Sequence, residues 1–437
     1  MHRYENEVKD ESCIMPQKVQ RVKGVNDILP LEAKQWQALE HIVKRVMDRY
    51  AFGEIRPPIF EKTELFARGV GEDTDIVSKE MYSFSDMSKS SLTLRPELTA
   101  GVVRCYIQNN LQQISPVQKL WYEGPMFRQE RPQKGRYRQF WQFGAEAIGS
   151  PNPEQDAEMI ALFYAILKEL GIEKSVTLKI NSVGDGESRA LYHSALQEYL
   201  RPHLSSLSET SQKRFESNPL RILDSKAPND KELVRDAPKI RECLNDASAT
   251  HYAEVLRMLE AMDIPYVQDD LLVRGLDYYT HTIFEFTSDA LGAQDAICGG
   301  GRYNDLVKEL GGQDVPAIGW ASGIERLLLV VDALQPLKAD SGLDLFLIVQ
   351  GEDLRVKASK LIHEWRSAGL NCDLDTLRRS MKAQMREANR QEARFVAILG
   401  EDEFGQGIVQ LKNFETGEQE AVAFHDVVST INKALLS

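Results

Sequence analysis

Residues 122–140 constrain the fold more than any other stretch of the chain. Apolar positions run to Phe127, a basic loop is closed by Pro132 and Gly135, and the chain returns through Gln139 and Phe140. The pattern predicts two antiparallel strands joined by a long loop. Alternation on such a pair sets Arg128 and Glu130 on one face, with Phe140 on the partner strand. A phosphate ligand, a polar acceptor for a base edge and a stacking ring would converge there. In this neighbourhood Lys119, Arg128, Arg131, Lys134, Arg136 and Arg138 oppose only Glu123 and Glu130, whereas the whole chain has 53 basic and 66 acidic residues, net −13. That balance argues against nonspecific nucleic-acid coating and leaves room for a local basic site. Residues 378–394 form a second basic segment, with six bases and two acids.

Trp36, Leu39, Ile42, Val43, Val46 and Met47 recur at helical spacing, which predicts an amphipathic helix over 31–50. The run 55–60 contains Pro57 and Pro58 and reads as an edge or interface strand. Strands are expected at 92–95, 119–123 and 139–145, and a helix at 98–109. The fold class of this part is therefore α+β with a mixed or antiparallel sheet. Residues 184–270, rich in Ser, Glu, Lys and Asp, read as a helical insertion. Strand character returns at 271–273 and 282–286, a glycine triplet follows at 299–301, and 321–331 reads as a helix. A polar linker falls at 336–342. Beyond it strands alternate with helices, predicting an α/β module over 343–437 with a parallel-type sheet. The domain boundaries are thus a 1–17 extension, an α+β domain over 18–335, the linker and the C-terminal module.

With 437 residues and 42% hydrophobic content, the chain can build two or three cores. No apolar run approaches the roughly 18–20 residues that span a bilayer, and 1–18 lacks the apolar core of a signal peptide, so a cytoplasmic protein is expected, without membrane contact. Five scattered cysteines with no C-x-x-C pair imply neither a disulfide framework nor a zinc site. The histidines show no metal-ligand spacing, and His281 alone stands beside a candidate block. No P-loop occurs, and Cys298-Gly299-Gly300-Gly301-Arg302-Tyr303-Asn304 lacks the third glycine of a dinucleotide cradle. Nucleotide chemistry would then rely on arginines, whose planar paired donors suit phosphate.

The run Gly124-Pro125-Met126-Phe127-Arg128-Gln129-Glu130-Arg131-Pro132-Gln133-Lys134-Gly135-Arg136-Tyr137-Arg138-Gln139-Phe140 resembles motif 2 of class II aminoacyl-tRNA synthetases, and its wording is similar to the histidyl-tRNA synthetase family. Leu272-Val273-Arg274-Gly275-Leu276-Asp277-Tyr278-Tyr279-Thr280 resembles that family's own signature. Gly300-Gly301-Arg302-Tyr303-Asn304-Asp305-Leu306 resembles its glycine-rich block, and Ala321-Ser322-Gly323-Ile324-Glu325-Arg326-Leu327 resembles motif 3. Residues 55–61, centred on Pro58, are similar to motif 1.

The resemblance implies a two-step ligase acting on histidine, ATP with Mg²⁺, and tRNA(His). Arg128 and Arg274 would be catalytic, offsetting charge at the α-phosphate. ATP would also meet Glu130, Phe140 and Arg326. Glu97, Thr99 and Gln142 would meet the histidine ammonium, with Glu146, Tyr278, Tyr279 and Tyr303 around the ring. Arg131, Gln133, Lys134 and Arg136 would approach the tRNA acceptor end, Pro58 would mark a homodimer interface, and 343–437 would bind the anticodon arm. No metal ligand is implied among the side chains. One position departs from the family wording: Leu98 stands where glycine is common, so its side chain either tightens the pocket or faces the core. A noncatalytic regulatory relative would lack both the Arg274 block and the C-terminal module, and this chain has both.

Overall fold

The computed structural model describes residues 18–436 apart from 72, 73, 75, 277, 293–295 and 338–341. The 1–17 extension and most of the 336–342 linker lie outside the described residues. The chain divides into two compact units between 337 and 338.

The first unit contains β1 (Gly53–Glu54), β2 (Phe60–Lys62), β3 (Tyr82–Ser85), β4 (Ser91–Leu94), β5 (Gln118–Phe127), β6 (Gln139–Ile148), β7 (Thr177–Ser182), β8 (Val267–Gln268), β9 (Thr280–Thr287), β10 (Ala296–Arg302) and β11 (Ala317–Gly323). Eight strands form one sheet in the order β1-β5-β6-β11-β10-β9-β7-β8, and β2-β4-β3 form a small one. The six central strands of the large sheet pair antiparallel, while β1 and β8 add parallel edges.

One face of the large sheet packs on helices Pro30–Arg49, Pro153–Glu169 and Asp246–Ala261. The strands send Trp121, Phe143, Trp320, Phe284 and Phe286 into this core. Phe163 bridges Trp320 and Phe286 at ring separations of 5.0 and 4.8 Å. Burial of these large rings is the main stabilising term on this side. The insertion is helical as expected, with Gly186–Leu200, Glu209–Ser217, Pro228–Val234 and Asp246–Ala261.

Several expectations need correction. Residues 55–59 are not a strand: two prolines cannot donate to a ladder, and pairing resumes only at Phe60. Residues 271–273 are turn and loop. Residues 321–323 finish β11, and the helix starts afterwards, at Ile324. The glycine triplet 299–301, to which the sequence assigned no element, lies inside β10.

The second unit holds β12 (Leu345–Val349), β13 (Cys372–Leu374), β14 (Phe395–Leu399), β15 (Ile408–Asn413) and β16 (Gln419–Ala423), ordered β13-β12-β14-β15-β16. Its sheet is mixed rather than wholly parallel-type, because β14, β15 and β16 follow one another through connections without a full crossover and pair antiparallel. Gln384 ties helix Met381–Arg390 to β12 by accepting from Val349 N–H and donating to Val349 O, both at 3.0 Å.

Candidate active site

Strand register places rows of residues on the face of the large sheet that the core helices leave free. Leu120, Glu146, Gly319, Gly301 and Ile283 form one row, and Tyr122, Gly144, Ala321, Gly299 and Glu285 the next. Gly124, Gln142 and Gly323 follow, then Met126 with Phe140. Small residues at the centre leave a trough, and side chains from its walls lie down into it. A Cβ on Gly319 would stand 1.5 Å from Glu146 Oε2, and one on Gly299 would stand 2.1 Å from Arg274 Nη2. These strand glycines are there for close approach.

At one end Glu146 is fully buried and accepts hydrogen bonds from Thr99 Oγ1 (2.7 Å), Tyr122 Oη (3.2 Å) and Tyr303 Oη. Burial pushes its carboxyl up to about 8, and the three hydroxyls only partly offset this. Glu97, also buried, accepts the amide N–H of Thr99 (2.6 Å) and Ala100 (3.1 Å), capping helix Thr99–Gln108; burial raises its pKa too. Tyr278 and Tyr279 stand with ring centroids 4.7 Å apart, and Tyr303 lies 5.6 Å from Tyr278. The residues assigned to histidine therefore gather here except Gln142, which lies four residues along β6 from Glu146, and the Thr99 hydroxyl donates to Glu146, leaving its lone pairs to accept. Leu98 is 2% exposed and belongs to the buried cluster that holds Val102, Tyr106 and Met126 together with the pocket rings Tyr122, Tyr278 and Tyr303.

In the middle, Arg274 pairs with Glu285 at 2.5 Å. Burial opposes its charge, yet Glu285 outweighs that cost and holds the guanidinium above its ordinary range. Arg274 Nε and Gln142 Oε1 are buried polar atoms without a hydrogen-bond partner among the described residues. Orphaned groups of this kind belong where a ligand completes them.

At the far end, the Arg128 guanidinium lies 5.3 Å from the Phe140 ring centroid and donates through Nε to Pro96 O at 2.9 Å. Strand alternation alone would set Glu130 on the same face as Arg128. However, β5 stops at Phe127, and Glu130 reaches Arg128 from the loop instead, at 3.8 Å, while pairing with Arg136 at 3.3 Å. Arg326 lies across Gly323 and against Gly135, and its Nε donates to Ala296 O at 2.8 Å. Arg128, Arg274 and Arg326 thus border one glycine-floored face.

The loop tip is a tight turn in which Gln133 and Arg136 exchange backbone bonds of 3.0 and 2.9 Å around Gly135 at φ +72. Arg131, Gln133 and Arg136 line an open cleft of about 400 Å³ with Lys79, Glu80, Gln129 and Glu130; Lys134 is exposed outside that lining. Pro58 is exposed beside Ile59 and Phe60. His281 packs instead on His251, ring centroids 5.4 Å apart, and His251 lies 3.3 Å from Asp156. Among the described residues no group of three or more His, Cys, Asp or Glu side chains gathers as a metal site.

Sequence reasoning missed Tyr122, Arg95 and Glu285. Alternation along β5 carries the signal for Tyr122, which shares the face of Met126. Arg95 donates to the carbonyls of Pro57, Pro58 and Pro125, fixing the proline segment to β5. Nothing local in the sequence marks a buried arginine held only by carbonyls.

An antiparallel sheet with a glycine-floored face, bordered by arginines from a strand–loop–strand unit and from a strand–helix junction, defines a class II aminoacyl-tRNA synthetase. The histidyl-tRNA synthetase family model matches residues 24–327, and an anticodon binding domain model matches 344–434. The chain is 49% identical over 414 residues to the histidine–tRNA ligase of Chloroherpeton thalassium, covering 94% of this chain and 97% of that one. It is 46% identical over 428 residues to that of Neisseria meningitidis, covering 96% and 99%. The crystal structure of apo S. aureus histidyl-tRNA synthetase superposes with a TM-score of 0.80 at 39% identity, over 95% of this chain and 100% of that one. The chain belongs to the histidyl-tRNA synthetase family, and it is a histidine–tRNA ligase.

Proposed function

We propose that the trough runs from a histidine end at Glu146 to an ATP end at Phe140, six residues apart on β6 and so about 20 Å at 3.3 Å per residue. The observation that carries this reading is charge. Glu146 is a buried carboxyl whose bonded partners are all hydroxyls, so no protein cation offsets its ionised form and a cationic substrate ring supplies the charge that favours it. Histidine supplies it: Glu146, Tyr278, Tyr279 and Tyr303 surround the ring, while Glu97, Thr99 and Gln142 meet the ammonium. The carboxylate of histidine then lies toward Arg128 and attacks the α-phosphorus in line, breaking its bond to the bridging oxygen of the β-phosphate, so that histidyl-adenylate forms and pyrophosphate leaves. Arg274, fixed by Glu285, offsets charge growing on the α-phosphate. Phe140 and Arg326 sandwich the adenine, Glu130 accepts from its edge, and Arg326 holds the γ-phosphate. Mg²⁺ enters with ATP as part of the substrate. In the second step a terminal ribose hydroxyl of tRNA(His) attacks the acyl carbon of the adenylate and AMP leaves, with Arg131, Gln133, Lys134 and Arg136 guiding the acceptor end.

ATP–pyrophosphate exchange across the twenty amino acids tests this reading. Exchange with histidine alone is expected, and Arg274→Ala should lower kcat by about 10²–10³ with little change in KM, as removal of a transition-state donor does. Exchange with many amino acids, or an unaffected variant, refutes the assignment.

The catalytic unit is proposed as the 18–335 domain and the anticodon-binding unit as 343–437. A homodimer is proposed around Pro58, because Ile59, Phe60, Phe84 and Met87 expose apolar surface there. Sedimentation should show Phe60→Glu shifted toward monomer; an unshifted dimer would place the interface elsewhere. Among the described residues no helix is long and apolar enough to cross a membrane, and the cytoplasm is the compartment proposed for the enzyme.

A further inference from the structure

The ladder between β6 and β11 ends at Gln142 and Gly323, yet β6 continues to Gln139 against β5. The backbone N–H of Trp141 is therefore left at the point where its neighbour strand has stopped. A side chain supplies the missing acceptor: Glu325, in the first turn of helix Ile324–Leu334, takes that N–H with both carboxylate oxygens at 3.0 Å. Trp141 lies between Phe140 and Gln142, which face the trough, and its own ring turns to the other side against Trp36 at 5.9 Å and 86°. The residue after Glu325 is Arg326, folded across Gly323. One carboxylate thus joins the two pieces of backbone that carry the ATP-end side chains.

We infer that Glu325 is a positioning residue for ATP: by completing the β6 ladder at Trp141, it fixes where Phe140 stands relative to Arg326. It touches no reacting atom. Its carboxyl lies in the wall of a cavity of about 240 Å³ on the rear of the sheet, with Trp36, Tyr137, Trp141, Glu32 and Asp332. A charge-assisted bond to a backbone N–H is stronger than a neutral one and depends on reach, because the acceptor must arrive within about 3 Å.

The inference rests on the assignment of Phe140 and Arg326 to ATP, and its test separates the two. Wild type and the variants Glu325→Asp and Glu325→Gln are compared by ATP–pyrophosphate exchange, with histidine binding followed by calorimetry. Glu325→Asp keeps the charge at the helix start and withdraws the acceptor by one methylene, whereas Glu325→Gln keeps the reach and one acceptor oxygen. KM for ATP should rise about tenfold in Glu325→Asp and no more than about threefold in Glu325→Gln, with histidine affinity unchanged in both. The reverse order, equal loss of histidine and ATP binding, or normal ATP kinetics in both variants overturns the inference. Thermal unfolding measured alongside identifies a purely structural bond, which would lower Tm in Glu325→Asp without moving KM for ATP and so overturn the inference as well. If ATP does not bind at this end at all, wild-type KM for ATP will also be insensitive to Phe140→Ala, which identifies failure of the assignment rather than of the positioning.

Discussion

Glu146 meets opposing demands. Full burial favours the neutral form, while three hydroxyl donors favour the ion, and burial prevails in the free enzyme. Because its folded pKa stands near 8 against 4.5 in an exposed chain, the folded state binds the extra proton between those values. Its contribution to stability is complete below about pH 4.5 and is lost as pH rises through about 8. Glu123, pushed to about 8 by burial and by Glu40, and Glu325, pushed to about 7 by burial, act in the same direction. The Tm of the free enzyme should therefore fall between pH 5 and pH 9, and Glu146→Gln should flatten part of that fall in a pH series of melting curves. The same variant should raise KM for histidine about 10²-fold and leave KM for ATP unchanged, as expected for loss of a buried charged partner. An unaltered histidine KM would remove Glu146 from the pocket. The sequence made Glu146 a candidate through its family-like setting. Alternation along β5 sets Tyr122 on the face of Met126, but only the register of β5 against β6 brings its hydroxyl to the carboxylate.

Among the elements, the strand–loop–strand unit was legible because its apolar alternation, prolines and glycine all agree, and β5 and β6 appear as read, only longer. The glycine triplet was not legible as strand. Glycine has poor strand propensity and no side chain to alternate, so 299–301 carries no period-2 signal. Its place in β10 comes from the trough: neighbouring strands supply the packing, and glycine leaves volume for Arg274 and Tyr279. The element itself then yields a prediction. Gly299→Ala would put a methyl 2.1 Å from Arg274 Nη2 and push the guanidinium off its site. The other face of β10 is untouched, so folding should survive. Exchange assays should show kcat falling about 10²-fold with Tm nearly unchanged, approaching Arg274→Ala, since positioned charge matters only where it is aimed. A variant with wild-type kcat would mean that Arg274 acts from some other position.

For the whole molecule the question is how a chain of net charge −13 binds a polyanion. Net charge sets long-range repulsion, and local bases must overcome it at short range. The two basic segments of the sequence look alike in composition and differ in the structure. In 378–394 Arg379 pairs with Asp375 and Glu387, Arg390 with Glu387, and Arg378 with Glu352. These arginines are occupied in holding their own unit together, whereas Lys382 and Arg386 on the same segment are exposed. In the 131–136 loop Arg136 pairs with Glu130, while Arg131 and Lys134 stand in solvent. The number of phosphate contacts available is thus smaller than the count of bases suggests, about two per segment. Counterion release makes this measurable, because taking away one phosphate-binding charge lowers the slope of log affinity against log salt by about one. Removing Arg131 and Lys134 together, as glutamines, should lower the slope for tRNA(His) by about two. Removing Lys382 and Arg386 should do the same if helix Met381–Arg390 meets the RNA; an unchanged slope there would restrict tRNA contact in the second unit to its other surfaces. Arg379→Gln is the control that distinguishes an internal ion pair from a contact: it should lower the Tm of the second unit and leave the salt slope where it was.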